Sequence, residues 1–159
     1  MMVVLFTGIS YGKKTEQLIP DYQIEGAGNS RGDESLVKVT ILTKDKNKVT
    51  DDMLGKAAVH GVLFKGYTDK STQGFDNAST HKAIAGSPTA YTEYIDFFEP
   101  FFQNGDYMNY VRIVEDRRGV TKVDKNYKVS AVVRVSTGQL KKDLQDKKIN
   151  VVKSLKSGW

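Results

Sequence analysis

The only imidazoles available for acid–base or metal chemistry in this chain are His60 and His81. Neither stands at a spacing that such chemistry requires. His60 lies in an apolar stretch beside Gly61, with no second His or Glu one helical turn away to share a metal ion. It reads as a structural histidine. His81 follows a long polar run and is better placed to titrate, or to touch a partner, near neutral pH. Glu93, Asp96 and Glu99 recur once per helical turn. Glycoside hydrolysis needs two carboxyls facing each other across a cleft, so three acids along one helix read as its solvent face. Gly26-Ala27-Gly28 lacks the third glycine of a dinucleotide loop, and neither a phosphate-binding loop nor a serine-hydrolase elbow occurs. With no cysteine, a thiol nucleophile, a disulfide framework, an iron–sulfur cluster and a thiolate zinc site are all excluded. The sequence therefore points to no catalytic residue, no cofactor and no metal.

The aromatic residues offer a different chemistry. Tyr91, Tyr94, Phe97, Phe98, Phe101, Phe102, Tyr107 and Tyr110 are too dense for a single helical stripe. Most must form core. Phe97 falls off the main stripe and could extend an exposed patch, so Phe97, Tyr91 and His81 are the candidate partner contacts. The other arrangement open to these residues is a ligand pocket between the aromatic helix 88–103 and the polar stretch 67–87.

Charge narrows the partner class. Twenty-four Lys and Arg against 19 Asp and Glu give a net charge of +5. The lysines alternate with acids, as in Lys44-Asp45-Lys46, instead of gathering with aromatics as a nucleic-acid site requires. The lysine-rich stretch from Lys141 to Lys156 reads as a solvated helix face. No run approaches the roughly 18 apolar residues of a membrane span.

The elements that would position these residues follow from periodicity. Val37, Val39 and Ile41 alternate with Lys38 and Thr40, which predicts a strand over Leu36–Lys44. A weak edge strand is expected about Gln23–Glu25. Thr50 followed by Asp51 and Asp52 caps a helix to about Lys65, with Gly66 closing it and Ala57, Ala58 and Gly61 allowing close approach to a sheet. Residues 67–87 show no periodicity and read as a long loop. Ser87-Pro88 should start the aromatic helix, and Pro100 should kink it. A strand over Tyr107–Glu115, a tight turn at Asp116-Arg117-Arg118-Gly119 and a return strand over Val120–Ser136, interrupted near Asp124-Lys125-Asn126, come next. On that return strand Tyr127, Val129, Ala131, Val133 and Val135 share one face. Thr137 should cap a last helix burying Leu140 and Leu144, and Val151, Val152 and Leu155 suggest a final strand or packed tail. The expected fold class is α+β: a two-layer sandwich of a mainly antiparallel sheet with two to three helices on one face.

Met1 to Gly12 is uncharged and ends in Ser10 and Gly12, the small residues a signal peptidase accepts. Residues 1–12 therefore read as the remnant of a secretory signal, 13–35 as a polar segment and 36–159 as a single domain. The stretch Tyr127-Lys128-Val129-Ser130-Ala131-Val132-Val133-Arg134-Val135, followed by Leu140 and Leu144, resembles the end of the FlgT N-terminal domain and of related small outer-membrane lipoproteins. The Ala57-Ala58-Val59-His60-Gly61-Val62 helix is similar to their Ala-rich first helix. The chain also looks like small exported envelope proteins of Bacteroides-type bacteria. The resemblance implies a non-enzymatic envelope protein, periplasmic or outer-membrane-associated, that binds a protein partner or self-associates. It brings no catalytic residues. The chain has no cysteine to carry the anchor of the lipoprotein members.

Overall fold

A computed structural model describes residues 19–28, 32–70, 79–147 and 149. The sequence readings at 1–12 and 150–159 lie outside the described residues. The fold is α+β, as the patterning requires. Strands β1 (Tyr22–Gly26), β2 (Ser35–Thr43), β5 (Val111–Val123) and β6 (Asn126–Val135) form an antiparallel sheet in the order β1-β2-β6-β5. Strands β3 (Tyr67–Asp69) and β4 (Ser79–His81) pair separately. The helices are α1 (Asp51–Phe64), α2 (Ala90–Glu93), α3 (Ile95–Gln103) and α4 (Thr137–Asp146). Among the described residues no helix is long and apolar enough to cross a membrane.

Alternation decides which face of the sheet is dry. Val37, Val39 and Ile41 on β2 pair across with Val133, Ala131 and Val129 on β6, and all six are buried. Lys38, Lys128 and Arg134, at the intervening positions, are exposed.

Helix α1 lies on the dry face. Thr50 caps it by accepting the Met53 N–H at 3.2 Å, with Asp51 and Asp52 in the first turn where carboxylates meet the positive end of the helix dipole. A Cβ on Gly61 would stand 2.7 Å from the Ile24 side chain, so glycine lets α1 approach β1 more closely than alanine would. Leu54 to Val59 and Gly61 to Phe64 are all buried, which leaves α1 almost no polar side. Its far side is covered by the aromatic residues of α2 and α3: Phe98 packs edge-on against Phe64 at 4.9 Å, and Phe102 lies 5.8 Å from His60. Leu140 and Leu144 of α4 close the end of the same core, as their spacing predicts.

Several boundaries differ from expectation. The folded sheet begins at Tyr22, because β1 pairs with β2 from Tyr22↔Ile41 to Gly26↔Val37, so it reaches well before residue 36. The stretch 67–87 contains the paired strands β3 and β4, which are too short for alternation to show in sequence. The aromatic helix begins at Ala90 and breaks at Tyr94, where φ is −116° and ψ is 38°. Pro100 sits inside α3, where it omits a single backbone donor on an exposed position.

The hairpin turn also moves. It falls at Asp124-Lys125, with Asp124 at φ 57°, a left-handed conformation that Asp tolerates. Strand β5 runs through the expected turn at 116–119 with a register shift between Val114 and Gly119. Arg118 lies within the shifted segment. Its guanidinium bonds the Asp51 carboxylate and the Val49 carbonyl (3.0 Å), drawing that part of the strand toward the start of α1.

The face assignment has a direct test. Val133 is fully buried between β2 and α1. Val133→Asp should lower stability by about 3 kcal/mol or more, the cost of an unpaired polar group in a packed interior. Urea unfolding would measure it, and a midpoint equal to the parent's would show that the face had been misassigned.

Candidate functional site

The C-terminal end of α1 organises the site. Gly66, at φ 74°, takes the left-handed closing position and returns its N–H to the Gly61 carbonyl at 2.8 Å. Two carbonyls that the helix cannot satisfy are taken by the chain after β4: Ile84 N–H donates to Val62 (3.0 Å) and Ala85 N–H to Leu63 (2.8 Å). A Cβ on Gly66 would stand 2.4 Å from the His81 carbonyl, so only glycine lets β4 lie this close. The β3–β4 pair is thereby fixed onto the end of α1.

Between that pair, β1 and the turn at Gly86–Pro88 lies an open groove of about 870 Å³. Ile24, Phe64, Ala83 and Pro88 give it an apolar wall. Lys65, Lys70 and Lys82 line it with positive charge, opposed by Glu25. Tyr67 and His81 face each other across the β3–β4 ladder with their rings stacked at 4.5 Å and 13°. Tyr67 is buried and His81 half-exposed, so the imidazole presents the stack to the groove.

The three contact residues proposed from sequence separate in the fold. His81 lines the groove. Tyr91 does not reach a surface: it is 2% exposed, packed edge-on against Phe64 at 5.5 Å and stacked on Phe98 at 6.0 Å. In this fold Tyr91 is core, because the four-residue α2 turns it beneath the wall that Phe64 forms. Phe97 is half-buried, stacked on Phe101 at 5.5 Å, and is not part of the groove lining.

The second imidazole has a different setting. His60 Nδ1 lies 2.7 Å from the Tyr22 hydroxyl. Burial pushes the imidazole down to about 4, with a further contribution from the Lys65 charge, and burial also raises the Tyr22 phenol. Near pH 7 both groups are therefore neutral, and the Tyr22 hydroxyl and the imidazole share one hydrogen bond. Lys65 places its ammonium 3.8 Å above the Tyr22 ring. A small cavity of about 190 Å³ beside Pro20, Asp21 and His60 adjoins this cluster. An imidazole held this low is a poor general base at neutral pH. Its work is to tie β1 to α1. Sequence reading placed His60 in a structural role but missed Tyr22, because a lone tyrosine in a polar segment carries no periodicity. Among the described residues, no three His, Asp or Glu side chains gather as a metal site would require.

Two further tyrosines hold the opposite side of the core. The hydroxyl of Tyr107 donates to the Asp52 carboxylate and that of Tyr110 to Asp143, the latter at 2.5 Å. Burial, then the carboxylate bond, raises both phenols, so both remain donors across the physiological range.

The His60 geometry sets a pH dependence. In the unfolded chain the imidazole binds a proton near its ordinary 6.5, whereas in the fold it does so only near 4. Stability contributed by neutral His60 is thus complete above about pH 6.5 and is lost as pH falls from there toward 4. Between pH 7 and 5 the parent should lose about 2 kcal/mol more stability than a His60→Gln variant, measured by urea unfolding at each pH. Parallel pH profiles for the two proteins would refute the assignment.

No family model, curated protein or solved structure matches this chain.

Proposed function

We propose that this protein is a non-enzymatic binding or assembly module of the cell envelope, periplasmic or outer-membrane-associated, which engages a protein partner or a second copy through the groove beside β1 and the β3–β4 pair. The observation that carries the reading is the groove itself: an apolar wall, three lysines and a half-exposed His81 stack mounted on the closed end of a buried helix. A surface fixed to rigid elements holds its contacts in place before a partner arrives, which lowers the ordering cost of binding. The groove is shallow and mixed in chemistry, as the centre and rim of a protein contact are. The non-enzymatic part rests on the imidazoles: His60 is desolvated and committed to Tyr22, and His81 lies flat on Tyr67. The envelope part rests on the sequence of residues 1–12 and on the resemblance stated above.

A second reading, a small-ligand carrier or enzyme, uses the same groove, although its walls are β1, the end of α1 and the residues around β3 and β4, and of the stretch 88–103 only Pro88 reaches it. One experiment separates the two. A photo-crosslinking residue at Thr80, in the groove, should give an adduct with an envelope protein or with a second copy, while the same probe at exposed Gln139 on α4 should give none. A strictly monomeric protein with no adduct at Thr80 would defeat the partner reading. A rise in melting temperature with a metabolite or glycan would then support the carrier.

A further inference from the structure

The sheet has two edges, β1 and β5, and they differ in how they meet another strand. Strand β5 breaks register between Val114 and Gly119 and carries Arg112, Arg117 and Lys122, all exposed; such bulges and charges discourage edge pairing. Strand β1 has no bulge, lysine or proline, and Tyr22-Gln23-Ile24-Glu25-Gly26 pairs with β2 in unbroken register. Its hydrogen-bonding phase follows from Ala27, whose N–H donates to the carbonyl of Leu36, one step further along the same register, at 2.9 Å. Bonded and non-bonded positions alternate in an antiparallel pair. Gln23 and Glu25 therefore bond toward β2, whereas Ile24 aims its N–H and C=O away from it. Among the described residues nothing bonds those two groups of Ile24.

The groove follows this edge. Ile24 lies on the helix side of the sheet, beside Gly61 and opposite buried Val39, and Glu25 alternates to the other side. Both line the groove, so it runs along the rim of β1 and not over one face. Lys65, Lys70 and Lys82 line it too and are exposed, and among the described residues none of the three is in an ion pair. Glu25 is the single acid among the described lining residues.

We propose that the groove takes an acidic peptide segment in extended conformation, which adds to the sheet as a strand beside β1. The proposal rests on the groove reading above and specifies its partner. The outward N–H and C=O of Ile24 supply main-chain bonds, the source of affinity in strand addition. The residue of the segment opposite Ile24 shares its side of the sheet, where Phe64 and Ala83 give an apolar wall, so an apolar side chain fits there. Acidic side chains in the segment meet the three lysines, which outnumber the one carboxylate. A nucleic acid could answer the lysines but has no repeat of N–H and C=O groups to match a strand edge.

The test selects peptides from a displayed random library on the full chain and measures the strongest by fluorescence polarisation. Enriched peptides should carry more Asp and Glu than Lys and Arg. Affinity should fall by at least about tenfold in the double variant Lys70→Glu, Lys82→Glu, at two exposed positions. N-methylating every second peptide amide should abolish binding in one phase and leave it within about twofold in the other, because only alternate amides face β1. Ile24→Pro removes the outward N–H without removing a bond to β2, and should bind at least about tenfold more weakly, while Ile24→Val binds like the parent. Should the proline variant fail to fold, the N-methyl series still decides. The proposal is overturned if no peptide is enriched, if the enriched peptides are neutral or basic, or if the two N-methyl phases weaken binding equally. A Thr80 adduct with an envelope protein that forms as well in Ile24→Pro would refute strand addition and leave the groove reading standing, whereas loss of the parent's adduct defeats that reading itself.

Discussion

A helix without a polar side must be covered all round, and α1 is such a helix. From Leu54 to Phe64 every residue but His60 is buried. One side rests on the sheet, through Gly61 against Ile24 and Gly55 against Val111. The other side receives Phe98, Phe102 and Tyr91. Neither cover would be stable alone. A sheet exposing Val37, Val39, Ile41, Val129 and Val133 would present a large apolar patch, and a short aromatic helix with an internal proline is a marginal element in water. Each is stabilised by burying its apolar face on the same central helix.

That constraint explains the arrangement of polar groups. A helix with no solvent face can meet water only at its ends, and the ends of α1 are where side chains and backbone from distant segments collect. The N-terminus gathers Thr50, the Asp51–Arg118 pair and the Asp52–Tyr107 bond. The C-terminus is closed by Gly66 and by the amides of Ile84 and Ala85. The groove is a by-product of this second closure: fixing β3 and β4 over the helix end leaves a trough between them and β1. Two polar side chains lie within the helix: Lys56 sets its ammonium 5.2 Å from the Tyr107 ring, and His60 is tolerated because the Tyr22 hydroxyl satisfies its Nδ1.

The same logic separates two kinds of surface. At the groove, polar and apolar groups are mixed over a rigid floor. At the hairpin end, β5 is the edge strand of the sheet, so an inward position on it has a strand neighbour on one side only. Val120 is inward by register and exposed in fact. Its exposure follows from its place on the edge strand: Val129 and Ile41, in the same row on β6 and β2, are both buried, and no strand lies beyond β5.

Much of the fold was legible in the chain. The period-two runs at Val37–Ile41 and Tyr127–Val135, the Thr50-Asp51-Asp52 cap and the Leu140/Leu144 pair each declare their structure locally, because alternation and capping act between residues close in sequence. The α+β class followed from those signals alone. What sequence could not supply depends on contacts between residues far apart. The hairpin turn falls at Asp124-Lys125, where the chain signals only an interruption, and β5 runs on through 116–119 with Arg118 bonded to the start of α1, some 67 residues earlier. Tyr91 became core because α1 needed a cover on its far side. The Tyr22–His60 bond and the groove at the end of α1 were decided by tertiary structure, since each joins segments whose separation in the chain carries no periodic signal.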